Sequence, residues 1–424
     1  MKKFIIISLL LLVVLFTGCA NTFDDQGFKD SKNFKTLNDV VYPEKEYLSY
    51  SKIDNSIRYN DFEYLNNFMN VTTKELFTKH DNYIYSPISL YMALGMLVQG
   101  ADEGTQKEIL TLLQGNTDYS LETINKYNQA IYNHNYYKNN KGLTKMANSI
   151  WIKKGFEVKQ TYLDDLTQYY YANAYNTKFD DEGKQNIVDW INHNTNNLLN
   201  IKKETYPIDE EMVLMLINTL YFDNKWKTEF KKSNNYEDLF FGDDEIKVEY
   251  MKHTIEAMYY QTEKYDMFSD YFENGNSITY IYPNENSNIE ECLNNDALNM
   301  KDDILNSMSC ELTLSVPKFK TNSTYELNDT LKKLGLVSMF DSDQANFSKI
   351  TDKQIYVSFV QQDAGIILSE EGVKAAAVTS VGMNTESVGP EVPMNVVLNR
   401  PFIYIIRDSY NVPLFVGAVY NPEF

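Results

Sequence analysis

The sequence predicts one large α+β domain, and three observations carry that reading. Helix-like segments concentrate in the first half of the chain and strand-like segments in the second. Across 424 residues no Pro-, Gly- or Ser-rich stretch divides the body beyond residue 60, although length alone would suggest two or three domains. Apolar residues make up 43% and aromatics 14%, with 33 Tyr, enough for a sizeable core and for half-buried strands. That composition excludes a disordered chain, and no internal repeat is present.

Taken in order, the chain opens with Met1, Lys2 and Lys3, an apolar run from Phe4 to Phe16, and Thr17-Gly18-Cys19. A positive start, a short apolar run and a small-residue site ending in cysteine resemble a bacterial lipoprotein signal, with Phe16 where leucine is commoner. The run of about 13 residues falls short of the roughly 20 that a membrane-spanning helix needs. Residues 1–18 are therefore expected to be removed and Cys19 to be lipidated. Losing Lys2 and Lys3 takes the net charge from −20 to −22. Residues 19–59 are polar and aperiodic, which reads as a tether holding the domain off the outer face of a membrane. The domain itself is expected over 60–424.

Within it, Ser86 and Pro87 start a helix as N-cap and first helical residue, and the apolar run through Leu97 requires that helix to be buried on most sides. Thr105 and Glu108 have capping-box spacing for the next helix, with Ile109, Leu110 and Leu113 on one face. Met212 to Phe222 reads as a strand covered on both faces. Cys292 falls in a helix, and Cys310 just before the alternating strand Glu311 to Val316; free thiols and a disulfide are both compatible with an extracytoplasmic domain. Gln354 to Ser369 reads as a further long strand, and Val396–Leu398, Phe402–Ile406 and Leu414–Val419 as closing buried strands.

Several function classes lack the residues they need. The strongly acidic balance disfavours phosphate contacts, so no nucleic-acid partner is expected. The four histidines, His80, His134, His193 and His253, stand in no His-x-x-x-His setting, and neither a Gly-x-Ser-x-Gly elbow nor a phosphate-binding Gly-rich loop occurs. No cofactor or metal is expected. Ser86 and Ser89 read as capping hydroxyls rather than nucleophiles. Asp180-Asp181-Glu182 and Asp243-Asp244-Glu245 read as solvated loop charges, with a calcium role as the alternative.

One stretch answers to no ordinary structural need: Glu370-Glu371-Gly372-Val373-Lys374-Ala375-Ala376-Ala377-Val378-Thr379, followed by a patternless run to Pro390. An exposed Ala-rich loop is one reading. The other is a strand in waiting, small enough to slide between strands already packed, with Val373, Ala375, Ala377 and Thr379 facing one side and Lys374, Ala376 and Val378 the other.

The surrounding motifs favour the second reading, because Glu-Glu-Gly-x-x-Ala-Ala-Ala-x-Thr followed by Arg400-Pro401-Phe402 resembles the reactive-loop hinge of the serpins. Asn82 to Leu90, Gly100 to Thr105, Asn218 to Trp226, Val316-Pro317-Lys318-Phe319, Leu334-Gly335-Leu336 and Pro401 to Asp408 are similar to that family's blocks in its order. The resemblance implies a serpin-like fold of three β-sheets, eight or nine helices and an exposed reactive-centre loop at about 370–398. It implies suicide inhibition of a serine peptidase, or a papain-like cysteine peptidase, held in a covalent complex by a monomer that meets the membrane only through its lipid. A non-inhibitory binding lipoprotein of the same fold and a cell-surface hydrolase are the rival functions.

The family's shutter positions match Ser86, Ser89 and Asn218, with Gln362 where a histidine is usual, and Trp226 matches the tryptophan where insertion starts. Glutamine keeps hydrogen-bonding capacity but not the pH response. Val373 stands where threonine is commonest. The usual register puts the reactive bond between Glu386 and Ser387, suited to glutamyl endopeptidases. The loop is long, so Val388, second, and Met383 are the alternatives, suited to elastase- or subtilisin-like enzymes.

Overall fold

The segment from Pro87 to Gly100 is helical and buried on every side except at Ala93, so it has to lie between two other layers. Those layers are two β-sheets, seen in a computed structural model that describes residues 62–77, 80–115, 117–206, 208, 210–295, 297–299, 307–373 and 393–424. Cys19, the leader and tether, Lys374, and the loop positions Ala375, Ala376, Ala377, Thr379, Met383, Glu386, Ser387 and Val388 lie outside the described residues.

In chain order the first half holds α1 (Glu63–Leu76), β1 (Tyr83–Tyr85), α2 (Pro87–Gly100), α3 (Glu103–Gln114), α4 (Leu121–His134), β2 (Tyr137–Asn139), β3 (Gly142–Lys153), α5 (Gln160–Tyr170), β4 (Asn173–Thr177) and α6 (Asp181–Asn194). The second half holds β5 (Leu214–Lys225), β6 (Tyr236–Phe241), β7 (Glu245–Gln261), β8 (Tyr265–Tyr271), β9 (Ser277–Pro283), α7 (Ile289–Asn294), β10 (Met308–Pro317), β11 (Phe319–Glu326), α8 (Asn328–Lys333), β12 (Gln361–Ser369), β13 (Gly372–Val373), β14 (Met394–Val397), β15 (Phe402–Arg407) and β16 (Pro413–Val419). The α+β class and the helices-first order are as expected, with eight α-helices among the described residues.

A seven-stranded sheet runs β11-β12-β13-β5-β3-β2, with β4 parallel on β3. α2 packs between β5 and β16, while α6 covers the opposite face of β3 and β5 through a second core of Trp151, Ile187, Trp190, Met215 and Ile217. That cover on both faces goes with the apolar runs Leu214–Ile217 and Leu220–Phe222 of β5, between and after which Asn218, Thr219, Asp223, Asn224 and Lys225 are polar. The second sheet has nine strands, β1-β16-β15-β9-β8-β7-β10-β14 with β6 on β7. Three sheets were expected; two of them join into one ladder because the 17 residues of β7 pair with β6 and β10 along most of their length and with β8 at the far end.

Other expectations are corrected. Thr105 and Glu108 form no capping box, since the helix starts two residues before Thr105, at Glu103. Their side chains serve a distant segment instead: Thr105 Oγ1 accepts from the Asn346 N–H, and Glu108 Oε2 from the Val337 and Ser338 N–H groups. Asp180, Asp181 and Glu182 are not loop charges but the N-cap and first turn of α6, where carboxylates suit the helix dipole. The long strand expected from Gln354 begins only at Gln361, because β11 ends opposite Gln361 and, among the described residues, no other strand pairs with 354–360. Cys310 lies inside β10, and both Cys292 and Cys310 are free and buried, with burial pushing the Cys292 thiol up to about 12.

Candidate functional site

The centre of the seven-stranded sheet is interrupted. Among the described residues no ladder joins β5 directly to β12; only β13, two residues long, stands between them. Gly372 pairs with Ser369 and Lys225, and Val373 with Leu368 and Asn224. Below that wedge a cavity of about 620 Å³ opens between the facing walls, Leu214–Leu220 on one side and 354–365 on the other, floored by Ser86, Ser89, Leu90 and Leu94 of α2 and its cap. Neighbouring strands sit about 4.8 Å apart, so an unfilled slot in the middle of a sheet leaves backbone donors and acceptors on both walls waiting for a partner strand.

The mouth of the slot is built at Gly372. Its φ of +136° is a conformation that side chains rarely adopt, and an added Cβ would meet the Asn224 carbonyl oxygen at 2.2 Å and Lys225 Cα at 2.8 Å. Only glycine lets the chain turn there and lie against β5. Val373, the first fully inserted residue, is 3% exposed. Fully buried Trp226 stacks on Phe272 at 4.8 Å, and its indole N–H donates 2.9 Å to the Ser369 carbonyl, holding the end of β12.

Glu370 fastens the same turn electrostatically. Its Oε1 accepts from Asn235 Nδ2 at 2.8 Å and pairs with Lys318 Nζ at 3.2 Å, while Lys318 also binds Glu249 at 2.9 Å. Burial pushes the Glu370 carboxyl up, but its own backbone N–H, Asn235 and Lys318 outweigh burial and hold it below the ordinary carboxylate value. Burial likewise pushes the Lys318 ammonium down, and Glu249 and Glu370 more than reverse that. Of this trio, Lys318 stood in a quoted sequence motif without an assigned role. Glu249 and Asn235 carried no signal at all.

Beneath the sheet the structure brings together three of the four expected shutter residues. Gln362 clasps Ser86 through both amide atoms, accepting from its N–H and donating to its carbonyl at 2.9 Å each. Ser86 Oγ donates to the Leu414 carbonyl, accepts from the Ser89 N–H, and lies 3.0 Å from Ser89 Oγ. Asn218 stays apart on the opposite wall, its Nδ2 donating to Asn148 Oδ1, while Asn148 Nδ2 donates to the Tyr170 carbonyl. Its own Oδ1 has no hydrogen-bond partner among the described residues. Gln362→Ala would strip both clasp bonds from buried Ser86, and a loss of about 2 kcal/mol in urea unfolding is expected. An unchanged midpoint would show that water replaces the clasp.

One Ser-His-Asp grouping among the described residues lacks hydrolytic geometry. His134 Nε2 lies 3.1 Å from Ser409 Oγ and 3.7 Å from Asp408 Oδ2, so serine and aspartate meet the same ring nitrogen and the imidazole cannot be oriented by one while serving the other. Among the described residues no group of three or more His, Cys, Asp or Glu side chains is placed to hold a metal ion.

Comparison with known proteins points one way. The family model described as Serpin (serine protease inhibitor) matches residues 63–422. An uncharacterized serpin-like protein of Methanosarcina acetivorans is 26% identical over 428 residues, covering 97% of each chain. Human Serpin B4 is 28% identical over 382 residues, covering 81% of this chain and 95% of its own. Among solved structures, the thermophilic serpin tengpin in its native state aligns with a TM-score of 0.77 at 32% identity, over 92% of this chain and 100% of tengpin.

Proposed function

The chain belongs to the serpin family, whose members are typically protease inhibitors, and from that premise we propose that it is a suicide-type inhibitor of extracellular serine peptidases. The observation that carries this reading is Gly372-Val373, already laddered on both sides at the mouth of a slot whose walls are otherwise unpaired. The peptidase's serine attacks the carbonyl of Glu386, the peptide bond to Ser387 breaks, and the new amine leaves with a proton. What remains is an acyl ester to the enzyme. A papain-like enzyme would form the equivalent thioester. The freed hinge then zips into the slot before water can hydrolyse the ester.

The register set by β13 makes that step specific. Continued downward, Lys374 falls opposite Asp223, Thr379 between Asn218 and Gln362, and Met383 opposite Leu214. Ten positions of β5 remain below Asn224, which at about 3.3 Å each carry the acylated end about 33 Å. The single charge among residues 372–383 thus meets the single carboxylate of β5, and the one threonine meets the unpartnered Asn218 Oδ1. Asp223→Lys is expected to slow insertion about three-fold through like-charge repulsion across the strands, and a Lys374→Glu partner change to restore it. Equal rates in all three proteins would discard this register.

The leader supports anchoring by a lipidated Cys19 on the outer face of a membrane, with the inhibitor acting as a monomer against external peptidases. Cys19→Ala is expected to abolish incorporation of labelled fatty acid and move the protein to the soluble fraction; continued incorporation would refute the anchor.

The inhibitor reading is tested by incubating the detergent-solubilised protein with glutamyl-, elastase-, subtilisin-, trypsin- and papain-type peptidases, read by denaturing gel and intact mass. A covalent adduct cut after Glu386 is expected; one cut after Val388 would keep the mechanism and move the bond. Loop cleavage with neither adduct nor gain in thermal stability would sink the inhibitor and leave a binding role.

A further inference from the structure

The mouth of the slot is held by a polar cluster on the side of β5 away from the hinge. Asn224 Oδ1 accepts from Asn274 Nδ2 at 2.7 Å and from the Tyr137 hydroxyl at 3.0 Å; Asn274 Nδ2 also reaches that hydroxyl, and Asn224 Nδ2 donates 3.2 Å to Thr144 Oγ1. All four residues are buried, Asn224 and Thr144 completely. Gly142 makes room for the cluster, since a Cβ there would strike Asn224 Oδ1 at 2.0 Å. Four asparagine, tyrosine and threonine side chains in a core have to repay their desolvation by bonding one another, so the arrangement admits little slack.

Its position gives it a task. Asn224 is the residue against which Val373 pairs, and its carbonyl is the atom that Gly372 must pass. Asn274 belongs to the turn joining β8 to β9 in the other sheet. The same turn grips the top of β5 through its backbone: the Glu273 N–H donates to the Lys225 carbonyl, the Lys227 N–H to the Tyr271 carbonyl, and Trp226 bridges Phe272. β5 is thereby fastened to β2, β3 and the β8–β9 turn on the side away from β12, while the Trp226 indole just beyond it reaches across to the Ser369 carbonyl at the end of β12. To seat β13, the tops of β5 and β12 must stand two strand spacings apart, about 9.6 Å, where a closed sheet needs half that.

We propose that Asn224 is a positioning residue for loop insertion: clamped by Tyr137, Asn274 and Thr144, it props the mouth of the slot one strand wide so that the hinge is threaded before any peptidase arrives. The inference rests on the insertion reading above. Without the clamp the top of β5 relaxes toward β12, Gly372 and Val373 are squeezed out, and insertion has to begin by reopening the sheet.

The test uses the detergent-solubilised full-length protein and a synthetic peptide with the sequence of residues 374–383, whose uptake is followed by native gel and by the rise in thermal transition. Asn274→Ala and the milder Tyr137→Phe are compared with Asn125→Ala, which breaks a buried amide pair with Gln99, two residues that line neither the slot nor the clamp. Uptake about five-fold slower in both clamp variants is expected, the factor that one lost hydrogen bond of ordinary strength gives. Asn125→Ala should lower the melting temperature while taking up peptide at the wild-type rate. Wild-type rates in both clamp variants, or equal slowing in Asn125→Ala, would overturn the clamp and leave the insertion reading intact. No uptake and no stabilisation in the wild type would overturn both.

Discussion

Glu370→Lys is expected to cost about 3 kcal/mol of folding stability, the largest single-residue loss anticipated outside the hydrophobic core. The carboxylate is 6% exposed and is the shared acceptor of Asn235 and Lys318. Reversing its charge sets two ammonium groups face to face in a site that water hardly enters, leaves Asn235 without its 2.8 Å acceptor, and asks Glu249 alone to neutralise both lysines. Urea unfolding would measure the loss directly. A paired Glu370→Lys, Lys318→Glu change should recover part of it, since the geometry is kept and the sign exchanged. A single-variant loss below about 0.5 kcal/mol, the range of ordinary surface substitutions, would mean the turn is not electrostatically held.

The same pair gives the mouth a direction of pH sensitivity. Because the folded-state pKa of Glu370 lies below its ordinary value of 4.5, its contribution is fully present above that value and is lost as pH falls through the folded pKa. Acidification below about 4.5 should therefore loosen the β12–β13 turn, and Glu370→Gln should remove that part of the acid dependence. With Gln362 at the usual histidine position of the shutter, no comparable change is expected from that clasp between pH 5 and 8.

How much of this was readable before the structure depended on range. α2 announced itself because burial on nearly all sides leaves an apolar signature in consecutive residues, and β5 through its apolar runs Leu214–Ile217 and Leu220–Phe222. The hinge had no pattern of its own, and only its likeness to a family made sense of a run of alanines. Gln354–Val360 looked like strand for a sound local reason, yet a strand exists only with a partner, and the partner stops at Glu326 opposite Gln361. Thr105 and Glu108 had capping spacing, but the helix had already begun, and their partners lay more than 200 residues away. The Asn224, Tyr137 and Asn274 cluster joins positions 50 and 87 apart. Asparagine in a sequence suggests a solvated turn, and nothing local tells that three distant polar groups will be buried together.

Gly372→Val is expected to uncouple folding from trapping, which makes it the sharpest test of the slot. A Cβ at this position collides with backbone, the Asn224 carbonyl oxygen at 2.2 Å and Lys225 Cα at 2.8 Å, and neither atom can swing aside as a side chain would. The φ of +136° adds strain of about 1–3 kcal/mol for a residue that is not glycine. Both penalties fall only on the threaded hinge. The cheaper response is for residues 372 and 373 to leave the sheet, forfeiting two ladder pairs, rather than for the domain to unfold. The melting temperature of the uncleaved protein should then stay within a few degrees of wild type. Insertion after cleavage, however, has to carry the same clash into its first step, and a barrier raised by about 1.4 kcal/mol or more slows it at least about ten-fold while deacylation of the peptidase proceeds unhindered. Most of the variant would be cut and released as an ordinary substrate, visible as a collapse of the adduct band in favour of the cleaved chain on a denaturing gel. An adduct yield equal to wild type would mean that the hinge enters the sheet in some other conformation, and that the glycine serves the uncleaved state alone.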